Sequence, residues 1–285
     1  MTDPDEIPTA ERGPGLRTVA GPLERALAVA RKRSELLLLI RRDLKVRYAQ
    51  SILGYVWSVL DPLLMSLVFW FVFTQIFVRS VGETPYILFL LSGLLPFMWF
   101  QQVVEGSTHA IKDERLVRST ALPREIWVLR LVLAKFCEYA FALPVLAIFA
   151  LAYRAPVTWD ILLTVPAAAI QVVLLTGLGF LIAPVVVLVR DVDRVVRIVL
   201  RFLFYATPVL YGLPDVVNNE QIPTVLRTLY ALNPMTGIIA LYRSGFFPDQ
   251  LQWAAVLPGV AVSLAIFAAG WWVFARLEHA VLKEI

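Results

Sequence analysis

Residues 161–189, ILLTVPAAAIQVVLLTGLGFLIAPVVVLV, contain no charged side chain in 29 consecutive positions. As an α-helix this run would be about 43 Å long, because each residue adds about 1.5 Å, and it would more than cross a hydrocarbon core of about 30 Å. Comparable apolar blocks lie before and after it in the chain. The pattern therefore predicts an all-α integral membrane protein.

The composition agrees with this fold class. Hydrophobic residues make up 59% of the 285 residues and charged residues 17%, whereas about a quarter of a typical soluble domain is charged. The net charge is +4, but the basic residues lie in short segments between apolar blocks, which is typical of membrane orientation and argues against a nucleic-acid-binding surface. With one cysteine, Cys137, and two histidines, neither an intramolecular disulfide nor a metal site is predicted.

About six transmembrane helices account for the apolar blocks. The predicted spans are approximately residues 53–78, 86–110, 126–153, 159–189, 195–213 and 251–275. Of the 26 Lys and Arg residues, only Arg79, Arg154, Arg227 and Arg243 fall on the outer side if the N-terminus is cytosolic. Because basic connections stay in the cytoplasm, this asymmetry predicts that both termini are cytosolic.

The N-terminal part of the chain has two distinct segments. Residues 1–33 are rich in acidic residues, proline and glycine, so we expect a partly disordered cytosolic tail and no signal peptide. In residues 34–50, apolar residues follow helical spacing and basic residues occupy the other faces, which predicts an amphipathic helix at the cytosolic interface. A simple positively charged anchor explains the same residues equally well. Residues 51–285 are predicted to form the six-helix transmembrane domain.

Residues 214–250, between the fifth and sixth predicted spans, are too long for a turn and too apolar for a solvated loop. Their apolar runs are shorter than a membrane-crossing helix and are interrupted at Asn233-Pro234. Backbone of this kind occurs at membrane depth only where protein or a cavity shields it. We therefore expect re-entrant helices around an external exit.

The sequence contains no recognisable motif for catalysis or ATP hydrolysis. The P-loop pattern G-x-x-x-x-G-K-[ST] occurs nowhere, and neither do H-E-x-x-H or G-x-S-x-G. We therefore expect no catalytic residue, no metal ligand and no cofactor on this chain.

Polar residues within the predicted spans indicate a path for a hydrophilic substrate, because each is costly in lipid. Nearby aromatic side chains suit stacking on sugar rings. The residues predicted to form the substrate channel or its entrance are Trp57, Asp61, Trp99, Gln101, Gln102, Glu105, Glu138 and Tyr139. Polar contacts between helices, which would also include Lys135 and Gln171, and an ordinary aromatic belt are the alternative explanations.

Four arginines at the start of the fifth predicted span form a stripe. Arg190, Arg194, Arg197 and Arg201 are spaced by four, three and four residues, so they share one face of a helix. Guanidinium groups bind phosphate oxygens through paired hydrogen bonds, and the stripe could receive a diphosphate headgroup. Lipid anchoring at the cytosolic surface is the more ordinary interpretation.

Several short motifs occur in an order and spacing that are together specific. They are Asp43-Leu44-Lys45-Val46-Arg47-Tyr48, Leu53-Gly54-Tyr55-Val56-Trp57, Asp61-Pro62-Leu63, Ser92-Gly93-Leu94-Leu95-Pro96-Phe97, Leu122-Pro123-Arg124-Glu125-Ile126, Arg190-Asp191-Val192, Thr207-Pro208-Val209-Leu210-Tyr211 and Leu232-Asn233-Pro234-Met235-Thr236. In these motifs, and over essentially everything after residue 35, the chain resembles the membrane-spanning permeases of ABC exporters for polysaccharides, a class that includes the O-antigen and teichoic-acid export permeases.

The resemblance implies a transmembrane subunit, not an enzyme, that moves a lipid-linked polysaccharide from the cytosolic to the outer face of the bacterial inner membrane. It implies a homodimer with a channel along its axis, bound to two copies of a separate ATPase that carries ATP and Mg²⁺. Membrane lipids and a polymer on an undecaprenyl-type diphosphate are the other expected partners, and no nucleic acid is expected. The residues that match ATPase-contacting segments are Arg41, Arg42, Lys45, Lys112, Asp113, Glu114, Arg115, Arg118 and Arg124.

The polymer itself is not identified by any motif, although the Ala-, Val- and Arg-rich composition suggests a high-GC bacterium and hence a cell-wall galactan. Three other functions are compatible with the sequence. An ABC exporter of a small lipid or drug would share the fold. A secondary transporter would often show inverted repeats, and a membrane enzyme acting on lipid-linked sugars would need clustered acidic or histidine residues; neither feature stands out here.

Overall fold

The computed structural model describes residues 22–48, 53–76, 82–111 and 122–284, and the regular structure in these ranges is entirely helical. Eleven α-helices occur in this described part of the chain. Their bounds are α1 Pro22–Arg31, α2 Arg33–Tyr48, α3 Trp57–Phe71, α4 Tyr86–Ser107, α5 Glu125–Ala152, α6 Thr164–Leu188, α7 Val192–Ala206, α8 Leu213–Val217, α9 Thr224–Leu232, α10 Pro234–Arg243 and α11 Trp253–Glu284. A π-helical turn, Val72–Ile76, continues α3, and a 3₁₀ turn, Trp159–Leu163, precedes α6.

Five helical segments in the described ranges are long and apolar enough to cross a membrane. They are Trp57–Ile76, Tyr86–Ser107, Glu125–Ala152, Trp159–Leu188 and Trp253–Leu277. These segments correspond to the first four predicted spans and to the last. The prediction of an all-helical membrane protein is confirmed.

The fifth predicted span, residues 195–213, is not one of these five segments. Its helix, α7, has 15 residues and would be about 22 Å long, short of the roughly 30 Å hydrocarbon core. The backbone becomes extended at Thr207, because the ring of Pro208 disfavours helical geometry in the residue before it. A count of six spans therefore stays a proposal.

Helix α4 forms the centre of the bundle and packs against α3, α5, α6, α7 and α10. Its sequence is apolar on all sides, so every face can be buried by a neighbouring helix. Within the protein, 83% of the α4 span is buried, against 11% of the first span. Helices α3 and α7 instead expose large apolar side chains on the surface, including Val68, Phe71, Val195, Phe202 and Tyr205.

Helices α6 and α11 cross at glycine residues. A Cβ atom on Gly270 would overlap the carbonyl oxygen of Gly177, and one on Gly177 would lie 2.5 Å from Cα of Phe267. Because glycine has only a hydrogen atom as its side chain, the two backbones approach very closely. Close approach at small residues is a common way for helices to associate in a membrane.

Three short helices, α8 to α10, occupy the segment between α7 and α11. The break predicted at Asn233-Pro234 is present, and it separates α9 from α10. The Asn233 side chain accepts a hydrogen bond from the backbone N–H of Met235 at 3.1 Å, which caps α10, and Pro234 occupies the first helical position, where its missing N–H costs nothing. Whether these helices are re-entrant in the membrane stays a prediction.

Helix α2 coincides with the predicted amphipathic segment, and two ion pairs join it to α5. Asp43 lies 3.0 Å from Arg130 Nε, and Arg47 Nη1 lies 3.4 Å from Glu138. At the start of α2, a hydrogen bond from Lys32 holds the pKa of the Glu35 carboxyl below its ordinary value. Its location at the membrane interface stays a prediction.

The predicted N-terminal tail, residues 1–33, is only partly described. The helix α1 lies within it, whereas the first 21 residues, expected to be disordered, lie outside the described residues.

Candidate functional site

A polar cavity of about 70 Å³ lies where α2, α3, α4 and α5 meet. Arg47 and Lys135 contribute charged groups to its wall. Six of the eight predicted channel residues also line it, namely Trp57, Asp61, Trp99, Gln102, Glu138 and Tyr139. The structure therefore brings together side chains from the first three predicted spans and from the helix that precedes them.

The charged centre of the cavity is the Glu138 carboxylate. Lys135 lies one turn earlier on α5, and its Nζ is 3.0 and 3.1 Å from the two carboxylate oxygens. Arg47 approaches the same carboxylate from α2. Lys135 and Glu138 are each only 8% exposed. Because a buried charge is stable only when it is paired, the three groups depend on one another.

The aromatic wall of the cavity is mostly closed. Trp99 stacks on Tyr139 with ring centres 5.4 Å apart, and its indole N–H donates to the carbonyl oxygen of Val132 at 3.3 Å. Both rings are buried, whereas Trp57 is 40% exposed. Of the three predicted aromatic residues, Trp57 alone presents an accessible ring face on which a sugar could stack.

Gln101 and Glu105, the other two predicted channel residues, are exposed and do not line the cavity. Successive helical residues are turned by about 100°, so the Gln101 side chain points away from those of Trp99 and Gln102, and Glu105 lies about one turn beyond Gln102 towards the end of α4. Gln171 makes a contact between helices: it is fully buried, and its amide donates to the carbonyl oxygen of Pro96 at 2.7 Å.

The arginine stripe lies at the start of α7 and just before it. All four of its side chains, Arg190, Arg194, Arg197 and Arg201, are exposed. Arg197 donates to Asp193 Oδ2 at 2.5 Å, one helical turn away. The other three arginines form no ion pair with a residue in the described part of the chain, so they are available to an anionic group.

The predicted ATPase-contacting residues are only partly described. Arg41, Arg42 and Lys45 are exposed on α2. Arg124 is partly buried just before α5. The remaining predicted contacts, Lys112, Asp113, Glu114, Arg115 and Arg118, lie outside the described residues.

Arg243, at the end of α10, was predicted only as a basic residue on the outer side, and it is in fact 1% exposed. Its Nη1 donates to the carbonyl oxygens of Pro208 at 2.6 Å and Tyr211 at 3.2 Å. Its Nη2 donates to those of Val209 at 2.6 Å and Phe89 at 3.2 Å. The guanidinium carbon also lies 3.7 Å from the centre of the Phe89 ring. Arg243 therefore supplies the hydrogen bonds that the irregular backbone after α7 lacks.

The sequence carries two weak signals of this buried arginine. It directly follows the apolar run 238–242, and Gly93, where a Cβ atom would lie 2.5 Å from Arg243 Nη2, leaves room for it on α4. Neither signal identifies the partners, because carbonyl groups have no sequence signature.

Replacing Glu138 with Gln should lower the free energy of unfolding by about 2 kcal/mol, because the buried Lys135 ammonium loses its counter-charge. Thermal unfolding of the purified protein in detergent measures the effect. Removing both charges, with Lys135→Met and Glu138→Gln together, should recover most of the loss. Glu105→Gln, an exposed change on α4, is the control, and equal unfolding midpoints for Glu138→Gln and the wild type would contradict the prediction.

Helices long and apolar enough to cross a membrane, packed around a charged cavity, define an integral membrane protein. Residues 34–247 match the family described as ABC-2 type transporter. Because the match covers well over half of the chain, the protein belongs to the ABC-2 transporter membrane family.

Relatives of known function align over most of their length. The chain is 32% identical over 255 residues to the O-antigen export system permease protein RfbA of Myxococcus xanthus, covering 89% of this chain and 96% of that protein. It is 27% identical over 246 residues to the Klebsiella pneumoniae protein of the same name, covering 86% and 92%. It is 22% identical over 249 residues to the polysialic acid transport protein KpsM of Escherichia coli, covering 86% and 94%.

Proposed function

We propose that this chain is the transmembrane subunit of an ATP-driven exporter that moves a lipid-linked polysaccharide from the cytosolic to the outer face of the bacterial inner membrane. The observation that carries the proposal is the alignment with relatives named for O-antigen export and polysialic acid transport, which covers 86–89% of this chain. A protein so similar from end to end is expected to move a related class of substrate. Teichoic acid and a cell-wall galactan are narrower candidates within this class.

The size of the cavity supports a channel formed between two copies of the chain. A volume of about 70 Å³ is far below the roughly 300–1,000 Å³ of ordinary ligand sites. A polymer therefore needs a wider path than this cavity provides. Helices α3 and α7 expose apolar residues such as Phe71 and Phe202, and these faces suit a contact with a second copy. In this arrangement α7, with the extended residues after it, acts as a sixth membrane-crossing element, and α8 to α10 lie re-entrant at the external exit.

The charged groups on the cytosolic side divide into two proposed roles. The exposed cations of α2, with residues 112–124, contact the ATPase, which is present in two copies and binds ATP and Mg²⁺. The arginine stripe binds the diphosphate of the lipid carrier, because its guanidinium groups are exposed and match phosphate oxygens. The polar cavity between them is the substrate entrance. In this orientation both termini are cytosolic.

Depletion of the protein tests the function directly. Lipid-linked polymer should accumulate in the cytosolic leaflet, and surface polysaccharide should fall as the permease is lost. Restoring the wild-type chain should reverse both changes. Normal surface polymer after complete depletion would refute the proposed function, and so would ATP hydrolysis by the purified chain without a partner.

The charge reversal Arg41→Glu should detach the ATPase from the permease while leaving the permease folded. Arg41 is exposed on α2, so the change costs little within the chain, but it replaces attraction by repulsion at a polar protein contact. We expect the amount of ATPase that co-purifies to fall at least about tenfold, equivalent to 1.4 kcal/mol of binding free energy. Arg154→Glu, at an exposed position on the opposite side, is the matched control. Undiminished co-purification would remove Arg41 from the interface.

A further inference from the structure

Asp193 lies where the inner end of α4 meets the start of α7. One carboxylate oxygen, Oδ2, accepts a hydrogen bond from Arg197. The other, Oδ1, faces His109, whose Nε2 lies 3.9 Å away. The carboxylate therefore stands between a residue of the arginine stripe and the residues that directly follow α4.

The oxygen that faces α4 has no hydrogen-bond partner among the described residues, although it is shielded from solvent. Thr108 is within reach of the carboxylate, but a hydroxyl has one proton, and that of Thr108 is donated to the carbonyl oxygen of Glu105 at 2.8 Å. A distance of 3.9 Å to His109 is too long for a hydrogen bond. A small movement of α4 toward α7 would bring His109 within hydrogen-bonding distance of this oxygen.

A second contact between α4 and α7 determines how a movement of α4 would affect α7. Phe97, in the middle of α4, packs edge-on against Phe204, with ring centres 5.4 Å apart. Helices α4 and α7 thus touch at a ring contact deep in the bundle and at Asp193 near its inner end. A displacement of the inner end of α4 would turn α7 about the ring contact and carry the arginine stripe with it.

We propose that Asp193 is a coupling residue, which transmits displacement of the inner end of α4 to the arginine-bearing helix α7. This inference rests on the proposed function, in which the ATPase binds beside residues 112–124 and supplies the displacement. Asp193 touches neither substrate nor nucleotide and acts by positioning Arg197 and the stripe. ATP hydrolysis and polymer movement would then be linked through one carboxylate.

The test compares Asp193→Asn with Asp191→Asn in the complete complex of permease and ATPase. Asp191 is exposed two residues away and is the matched control. For Asp193→Asn we expect unchanged assembly and ATP hydrolysis but at least about a fivefold fall in polymer exported per ATP hydrolysed, the lower end of typical coupling between sites. Asp193→Glu, which keeps the charge, should recover part of the loss. A purely structural defect would instead lower assembly and hydrolysis together.

The variant His109→Ala covers the case in which Asp193→Asn does not assemble. His109 is 60% exposed, so its truncation leaves the bundle intact, and it should also lower the export per ATP. Wild-type export per ATP in an assembled Asp193→Asn complex, or in His109→Ala where that complex does not assemble, would overturn this inference while leaving the proposed function standing. A wild-type complex that exports no polymer would refute the proposed function itself.

Discussion

Replacing Arg243 with Met should remove most of the folded protein. The change removes the donor from the carbonyl groups of Pro208, Val209 and Tyr211, whereas the carbonyl group of Phe89 keeps a hydrogen bond from the Ser92 hydroxyl. At about 1 kcal/mol or more for each of the three unsatisfied groups, the loss is at least about 3 kcal/mol, a large part of the roughly 5–15 kcal/mol that stabilises a typical protein. Fluorescence-detected size-exclusion chromatography of a tagged protein in detergent measures the surviving monodisperse fraction.

Two further variants separate the hydrogen bonds from the charge. Arg243→Lys keeps the charge but replaces the planar fork with a single ammonium, so we expect only partial recovery. Arg154→Met removes an exposed arginine from the turn after α5 and should behave like the wild type. A normal elution profile for Arg243→Met would show that the carbonyl groups of Pro208, Val209 and Tyr211 find other partners.

The second large effect is expected at the crossing of α6 and α11. A leucine at Gly270 cannot be accommodated by rotamer changes, because the atom it meets is the backbone carbonyl oxygen of Gly177. The helices must separate, which removes the packing that holds them together in lipid, and we expect a loss above about 3 kcal/mol. Heating the detergent-solubilised protein before chromatography should show that Gly270→Leu aggregates at a much lower temperature than the wild type.

A glycine elsewhere on α11 provides the control. At Gly259 the nearest atom to an added Cβ is the carbonyl oxygen of Pro234, at 3.2 Å, so a shift of a few tenths of an ångström accommodates alanine. Gly259→Ala should therefore have a small effect. Equal aggregation temperatures for Gly270→Leu and Gly259→Ala would mean that α6 and α11 do not depend on this crossing.

Membrane-crossing helices are predictable from the sequence where the length of an apolar run determines whether the helix can span the membrane. The charge-free run before Arg190 and the apolar run before Arg276 both form helices long enough to span. The run after Val195 contains Arg197, Arg201 and Pro208, and its helix ends before the proline. Mean hydropathy reflects the average apolar character of a run and takes no account of where the backbone leaves the helix.

The candidate site is predictable to the extent that it depends on depth and helical spacing. Six of the eight predicted channel residues meet in one cavity because polar residues at similar depth on adjacent helices face inward. Gln101 was included because it is polar and lies within a predicted span, but its side chain points away from the cavity. Arg243 was missed because one of its partners, Phe89, lies 154 residues away in the chain, and only the fold brings them together.

The order of synthesis gives the buried guanidinium of Arg243 a further consequence. Phe89 and the bend at 208–211 leave the ribosome well before residue 243, so during translation their carbonyl groups lie without the donor that finally satisfies them. The hydrogen bonding of this part of the interior is therefore complete only after residue 243 has been added to the chain.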